Sequence, residues 1–192
     1  MSLSNNISKS VSKKTIELII YISSKFKDRP NYGSTLLGKS LYLIDSMSYL
    51  RTGNPITDFT YIKQERGPTP LPSIFLPIRD TLVANKELEK IDADYFGRKQ
   101  QKFISKREPQ IDVFDKDEIF LIDDVLESIG DHNAAEISDY THQFLAWIIA
   151  NDKEELPFYS FLLTENEPEV KDLEWANKSI KAYKSSLKDA SK

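Results

Sequence analysis

The sequence predicts a mainly α protein, a compact helical domain of about six to seven helices with a small β-hairpin and short-strand element. Three observations lead there. Apolar residues recur at three- and four-residue steps in several separate segments, the pattern of one-sided helices. Two of those segments open on a residue that caps helices followed three positions later by Glu, Asp115 with Glu118 and Asn133 with Glu136, the spacing of a capping box. Two other stretches, 53–72 and 88–105, lose the helical period and gain Gly, Pro and strand-favouring side chains.

The first helix lies within 11–26, where Thr15, Leu18, Ile19, Ile22 and Phe26 form one face, and Pro30 and Gly33 end it. A second follows, with Ser34 as its expected N-cap, a stripe of Leu37, Leu41, Ile44, Met47 and Ser48, and Gly53 where a left-handed C-terminal residue belongs. Pro55 stops helix propagation, and Ile56, Phe59, Tyr61 and Ile62 favour a short extended segment that Gly67 and Pro68 close. Pro68, Pro70 and Pro72 delay the next helix to about Ser73, after which Ile74, Ile78 and Leu82 mark it as far as Asn85. The run LEKIDADYFGRKQQKFIS reads as a hairpin turning near Phe96 to Arg98.

Beyond Pro109, Asp115 caps a helix with the stripe Ile119, Ile122, Val125, Leu126 and Ile129, stopped by Gly130. Asn133 starts another, expected to be central, with Ile137, Tyr140, His142, Phe144, Leu145 and Ile148 as its surface. A short helix is expected from Pro157 to Leu163, and a last one over 168–187. Residues 1–10 read as a loose arm, 11–187 as one domain and 188–192 as a polar tail.

A net charge of -4, from 26 basic and 30 acidic side chains, gives no general attraction to phosphate backbones or anionic lipid. The absence of Cys removes disulfides, thiolate zinc sites and Cys nucleophiles, and accords with a cytoplasmic protein. No run of about 18 apolar residues is present, so no membrane partner is expected.

The run GKSLYLIDSMSYLRTGNPITDFTYIKQERGPTP places Leu41, Tyr42 and Asp45 on a helix, then Gly53, Pro55, Ile56 and Thr57, then Tyr61, then Gly67, Pro68 and Pro70. A second run, EIFLIDDVLESIGDHNAAEISDYTHQFLAW, carries Ile137, Ser138, Thr141, His142 and Trp147. In order and spacing across 36–163 these resemble the SocA-like family, also called the Panacea antitoxin domain and often labelled phage-associated proteins. Thr69, Ile137 and Thr141 depart from its usual Val, Leu and Ser. The resemblance implies a mostly helical, non-enzymatic domain that neutralises a cognate toxin by direct binding, or delivers it to a protease as an adaptor. It makes the named residues structural or partner-binding.

The residues themselves offer little catalytic chemistry. Asp139 stands three positions before His142, where its charge would raise the imidazole pKa, but no Ser or Cys motif accompanies them and a packed structural His is expected. With two His in the chain and six glycines forming no phosphate loop, neither a metal nor a nucleotide cofactor is expected. The basic run Arg98, Lys99, Lys102, Lys106 and Arg107, beside Phe103, supplies the rival reading of a nucleic-acid-binding or regulatory protein, against a bland one of charges that protect a strand edge. The rigid Tyr-bearing segment before Gly67 is a further candidate docking edge, and Trp147 and Trp175 are expected to pack.

Overall fold

A computed structural model describes residues 11–163 together with Val170, Lys171, Glu174 and Lys178. The loose arm at 1–10, most of the helix expected over 168–187 with its Trp175, and the polar tail lie outside the described residues. Among those described there are six α-helices and two antiparallel two-stranded sheets, in the order α1 (Lys13–Lys25), α2 (Ser34–Thr52), β1 (Tyr61–Ile62), β2 (Thr69–Pro70), α3 (Pro72–Ala84), β3 (Leu88–Tyr95), β4 (Arg98–Ser105), α4 (Lys116–Gly130), α5 (Ala134–Thr141) and α6 (Leu145–Ile149). Short 3₁₀ turns lie at Ile111–Val113 and Phe158–Leu162. The protein is therefore mainly α with a small hairpin.

Helix α2 is the centre of the molecule. Twelve of the thirteen positions from Leu36 to Ser48 are buried, all but Met47, so it has no polar face, and α1, α4, α5 and β2 all pack around it. A helix buried all round must also bury its polar residues, and Lys39, Ser40, Asp45 and Ser46 are each fully inaccessible. Leu36, Leu37, Leu41 and Ile44 join Leu18, Ile19 and Ile22 of α1 and Ile122, Leu126 and Ile129 of α4 in one core. Each such side chain contributes about 1.5–3 kcal/mol of apolar burial.

Both capping boxes form. Asp115 accepts from Glu118 N while the Glu118 carboxylate accepts from Asp115 N, and Asn133 and Glu136 repeat the exchange. Helix α2 is capped otherwise than its sequence suggests: Gly33, not Ser34, is the N-cap and offers no side chain. The first turn of α3 starts one residue early, at Pro72, and turns Phe75 inwards in place of Ile74. The helix expected from Asn133 to Ile148 is neither continuous nor central. It breaks after Thr141, Phe144 adopts an extended backbone, and α6 restarts at Leu145, because the His142 ring folds back onto Trp147 at 3.9 Å. Gly130 ends α4 from inside its last turn; its missing Cβ leaves space for the Arg29 guanidinium, which pairs with Asp131. The Phe158–Leu162 segment is a 3₁₀ turn that packs Phe158 and Phe161 onto Tyr61 and Tyr42.

The hairpin forms in the expected register, Leu88 opposite Ser105 and Tyr95 opposite Arg98. Its two-residue turn, Phe96-Gly97, has φ of 50° and 75°, and Asp94 Oδ1 accepts from Gly97 N. Positive φ at both positions is the turn that matches the twist of the strands.

Candidate functional site

The motif residues gather into two buried polar knots along α2. In the first, Asp45 reaches across to the loop that follows Gly53. Its Oδ1 accepts from Ile56 N and Thr57 N, both at 2.9 Å, and its Oδ2 accepts from the Thr57 hydroxyl and from Tyr61 Oη at 2.6 Å. Gly53, at φ 78°, ends α2 by returning its N–H to Tyr49 O, and Pro55 sets the direction of the turn that delivers those two amides. Burial pushes the Asp45 carboxyl upward, against the pull of its four donors. Burial and the carboxylate together raise the Tyr61 phenol well above its ordinary value, so it remains a donor. Tyr42 packs its ring on Tyr61 at 5.1 Å and on Phe161 at 5.2 Å, and its hydroxyl has no hydrogen-bond partner among the described residues.

The second knot is built on Lys39, which has no carboxylate paired with it among the described residues. Its ammonium donates to Pro68 O at 3.1 Å and to Thr141 Oγ1 at 3.3 Å, and Thr141 Oγ1 donates onward to Ser138 O. Burial alone lowers its pKa to about 7. Gly67, at φ 93°, lies directly over the Lys39 Nζ; a Cβ there would collide with that nitrogen and come within 2.6 Å of Thr141 Oγ1. Beside it His142 stacks on Trp147, whose Nε1 donates to Gln64 O at 3.3 Å and whose ring faces Lys63 Nζ at 4.3 Å. The knot thus ties α2, the Gly67-Pro68 turn and α5 to one another.

The Asp139–His142 pair does not behave as a dyad. No hydrogen bond joins them among the described residues, and burial together with the Lys39 charge lowers the imidazole pKa, outweighing Asp139. The expected upward shift is corrected accordingly. The Tyr-bearing edge is also closed: Tyr61 is 1% exposed, β1 pairs with β2 on one side, and Ile62 bridges to Glu155 on the other. Among the described residues no group of three His, Asp or Glu side chains is placed to hold a metal ion.

The basic run is divided by the fold. Lys102 Nζ donates to Arg29 O, Lys106 pairs with Glu89, and Arg107 clamps Glu17 through two nitrogens at 2.8 Å while its Nε reaches Glu87. The Glu17 carboxylate is buried, which alone would raise its pKa, but Arg107 and the Gln110 N–H bring it below the ordinary range. Arg98 and Lys99 differ: with Arg66 they line a cleft of about 870 Å³ between the hairpin, the first turn of α2 and α5. Gln100 anchors the hairpin there, its amide donating to Pro30 O and Tyr32 O while its stem fills the space a Cβ at Gly33 would need.

The family model for the antitoxin SocA-like, Panacea domain matches residues 37–148. The chain belongs to that family. Neither a curated protein nor a solved structure matched it.

The matched region of this Panacea domain begins within α2 and ends in α6, so it contains both knots but not α1. Tyr42, Asp45, Gly53, Pro55, Ile56, Tyr61, Gly67, Pro68, His142 and Trp147 are brought together as two sets, and most of them face the interior. Two residues that matter escaped the sequence reading. Lys39 carried no signal beyond sitting in a helix whose apolar residues go all the way round, which leaves a lysine nowhere to reach water. Glu17 interrupts the stripe of α1, and a buried acid there demands a basic partner that spacing alone does not name.

Proposed function

We propose that this SocA-like domain acts as an antitoxin by binding: it neutralises a cognate toxin stoichiometrically, and it is not an enzyme. The observation that carries the reading is membership of the antitoxin family across 37–148. The interior placement of its motif supports it, because side chains committed to holding α2, the Gly67 turn and α5 in place serve a scaffold better than a reacting centre. The finer form is that the bound toxin is passed to a protease. A cytoplasmic location goes with both forms.

Copurification tests the reading. The product of a neighbouring gene, coexpressed with the tagged chain, should elute with it as a stable complex; interfaces of that kind bury on the order of 1,200–2,000 Å². Elution of every neighbour apart from the chain contradicts direct binding. The adaptor form further requires that the partner's half-life in cells shorten when this chain is present.

The nucleic-acid reading gains no support from the hairpin. Of the five basic residues singled out over 98–107, three are committed to Arg29 O, Glu89, Glu87 and Glu17, and only Arg98 and Lys99 stay together.

A further inference from the structure

The hairpin tip combines two costs that folding does not explain. Phe96 is 89% exposed, the most exposed large apolar side chain among the described residues. It also sits at φ 50°, in a turn position where Asn, Asp or Gly is usual and a bulky ring is strained. Its only ring contact among the described residues is edge-on to Tyr95 at 4.8 Å, and Tyr95 in turn lines the cleft. A strained and solvated aromatic is a common form of interface anchor.

The cleft adds a second, independent observation. Arg66, Arg98 and Lys99 line it, and none of the three has an ion pair or side-chain hydrogen bond among the described residues, although the other basic residues of the hairpin's second strand and its exit are paired or capped. Glu65, from the connection between β1 and β2, and Asp139, from α5, also line the cleft, whereas the charged side chains that the hairpin itself contributes, Arg98 and Lys99, are both cationic. On a chain of net charge -4, unpaired cations collected around one concavity favour an acidic occupant.

We infer that the hairpin tip and this cleft form the docking surface for the partner protein, which presents an acidic segment to Arg66, Arg98 and Lys99 and an apolar socket to Phe96. This rests on the proposed binding function and specifies where it happens. Phe96 supplies buried apolar area, and the three cations fix register and speed encounter.

Two variants test it, Phe96→Asn, which places a residue suited to the turn, and the triple reversal R66E/R98E/K99E. A third, K27E/K86E/K116E, makes the same charge change on exposed lysines away from the cleft. Thermal melts by circular dichroism check that each folds. Against the copurifying neighbour, the first two should bind about tenfold or more weakly and the third as wild type. Wild-type binding by both cleft variants, or equal loss in the third, overturns the inference while the binding function stands. If no neighbour is retained by the wild type, that function fails, and fluorescence anisotropy with a labelled oligo-glutamate peptide still decides the cleft. Peptide binding lost in R66E/R98E/K99E supports it; no peptide binding, or binding of a single-stranded oligonucleotide in its place, overturns it.

Discussion

Lys39 and Asp45 stand six residues apart, less than two turns, on one buried helix. Lys39 has a folded pKa of about 7 against 10.5 when unfolded, so the unfolded chain holds more protons between those values. Its contribution to stability is therefore complete above about pH 10.5 and is lost as pH falls through 7. We expect the urea midpoint to rise from about pH 7 to about pH 10, and Lys39→Met to flatten that rise. The buried phenols of Tyr32, Tyr42 and Tyr61, all raised, act the other way only above about pH 10. The lowered His142 acts only below its ordinary 6.5. Asp45→Ala leaves two amides and two hydroxyls buried without their acceptor and should cost about 3–5 kcal/mol in urea unfolding. A loss under about 1 kcal/mol would mean that water replaces the carboxylate.

At the scale of elements, the connections carry the specificity. Gly67→Ala must hold an L side chain at φ 93° and displace the Lys39 ammonium; the backbone alone costs about 1–2 kcal/mol, and the collision should take the total further. Arg107→Ala strands a Glu17 that is 2% exposed and should cost about 3–5 kcal/mol, whereas Lys106→Ala, which breaks an exposed pair with Glu89, should stay within about 1 kcal/mol. Equal effects of the two would show that the clamp is not desolvated. These contrasts mark how much was legible in the sequence. The capping boxes at Asp115 and Asn133 and the hairpin turn were readable because each depends on residues a few positions apart. The break after Thr141 was not, since it follows from a ring stack between His142 and Trp147 that a helical period conceals. The basic run of Arg98 to Arg107 looked like one surface until strand geometry and partners from α1 and the Arg29 loop divided it.

For the whole molecule, the family motif reads as the means of holding a scaffold rigid, with α2 as its axle, and the proposed recognition surface is the exposed hairpin with its cleft. The order of motif residues was visible in the chain, but the buried sets they form depend on contacts across 11 to 102 positions, as between Asp45 and Ile56 or Lys39 and Thr141. The central claim is neutralisation by binding. The measurement that tests it most directly is growth of cells that express each neighbouring gene with and without this chain. The account predicts that one neighbour arrests growth alone and that coexpression of the wild-type chain restores it. Arrest that persists with the folded chain present, or no toxic neighbour at all, would contradict it.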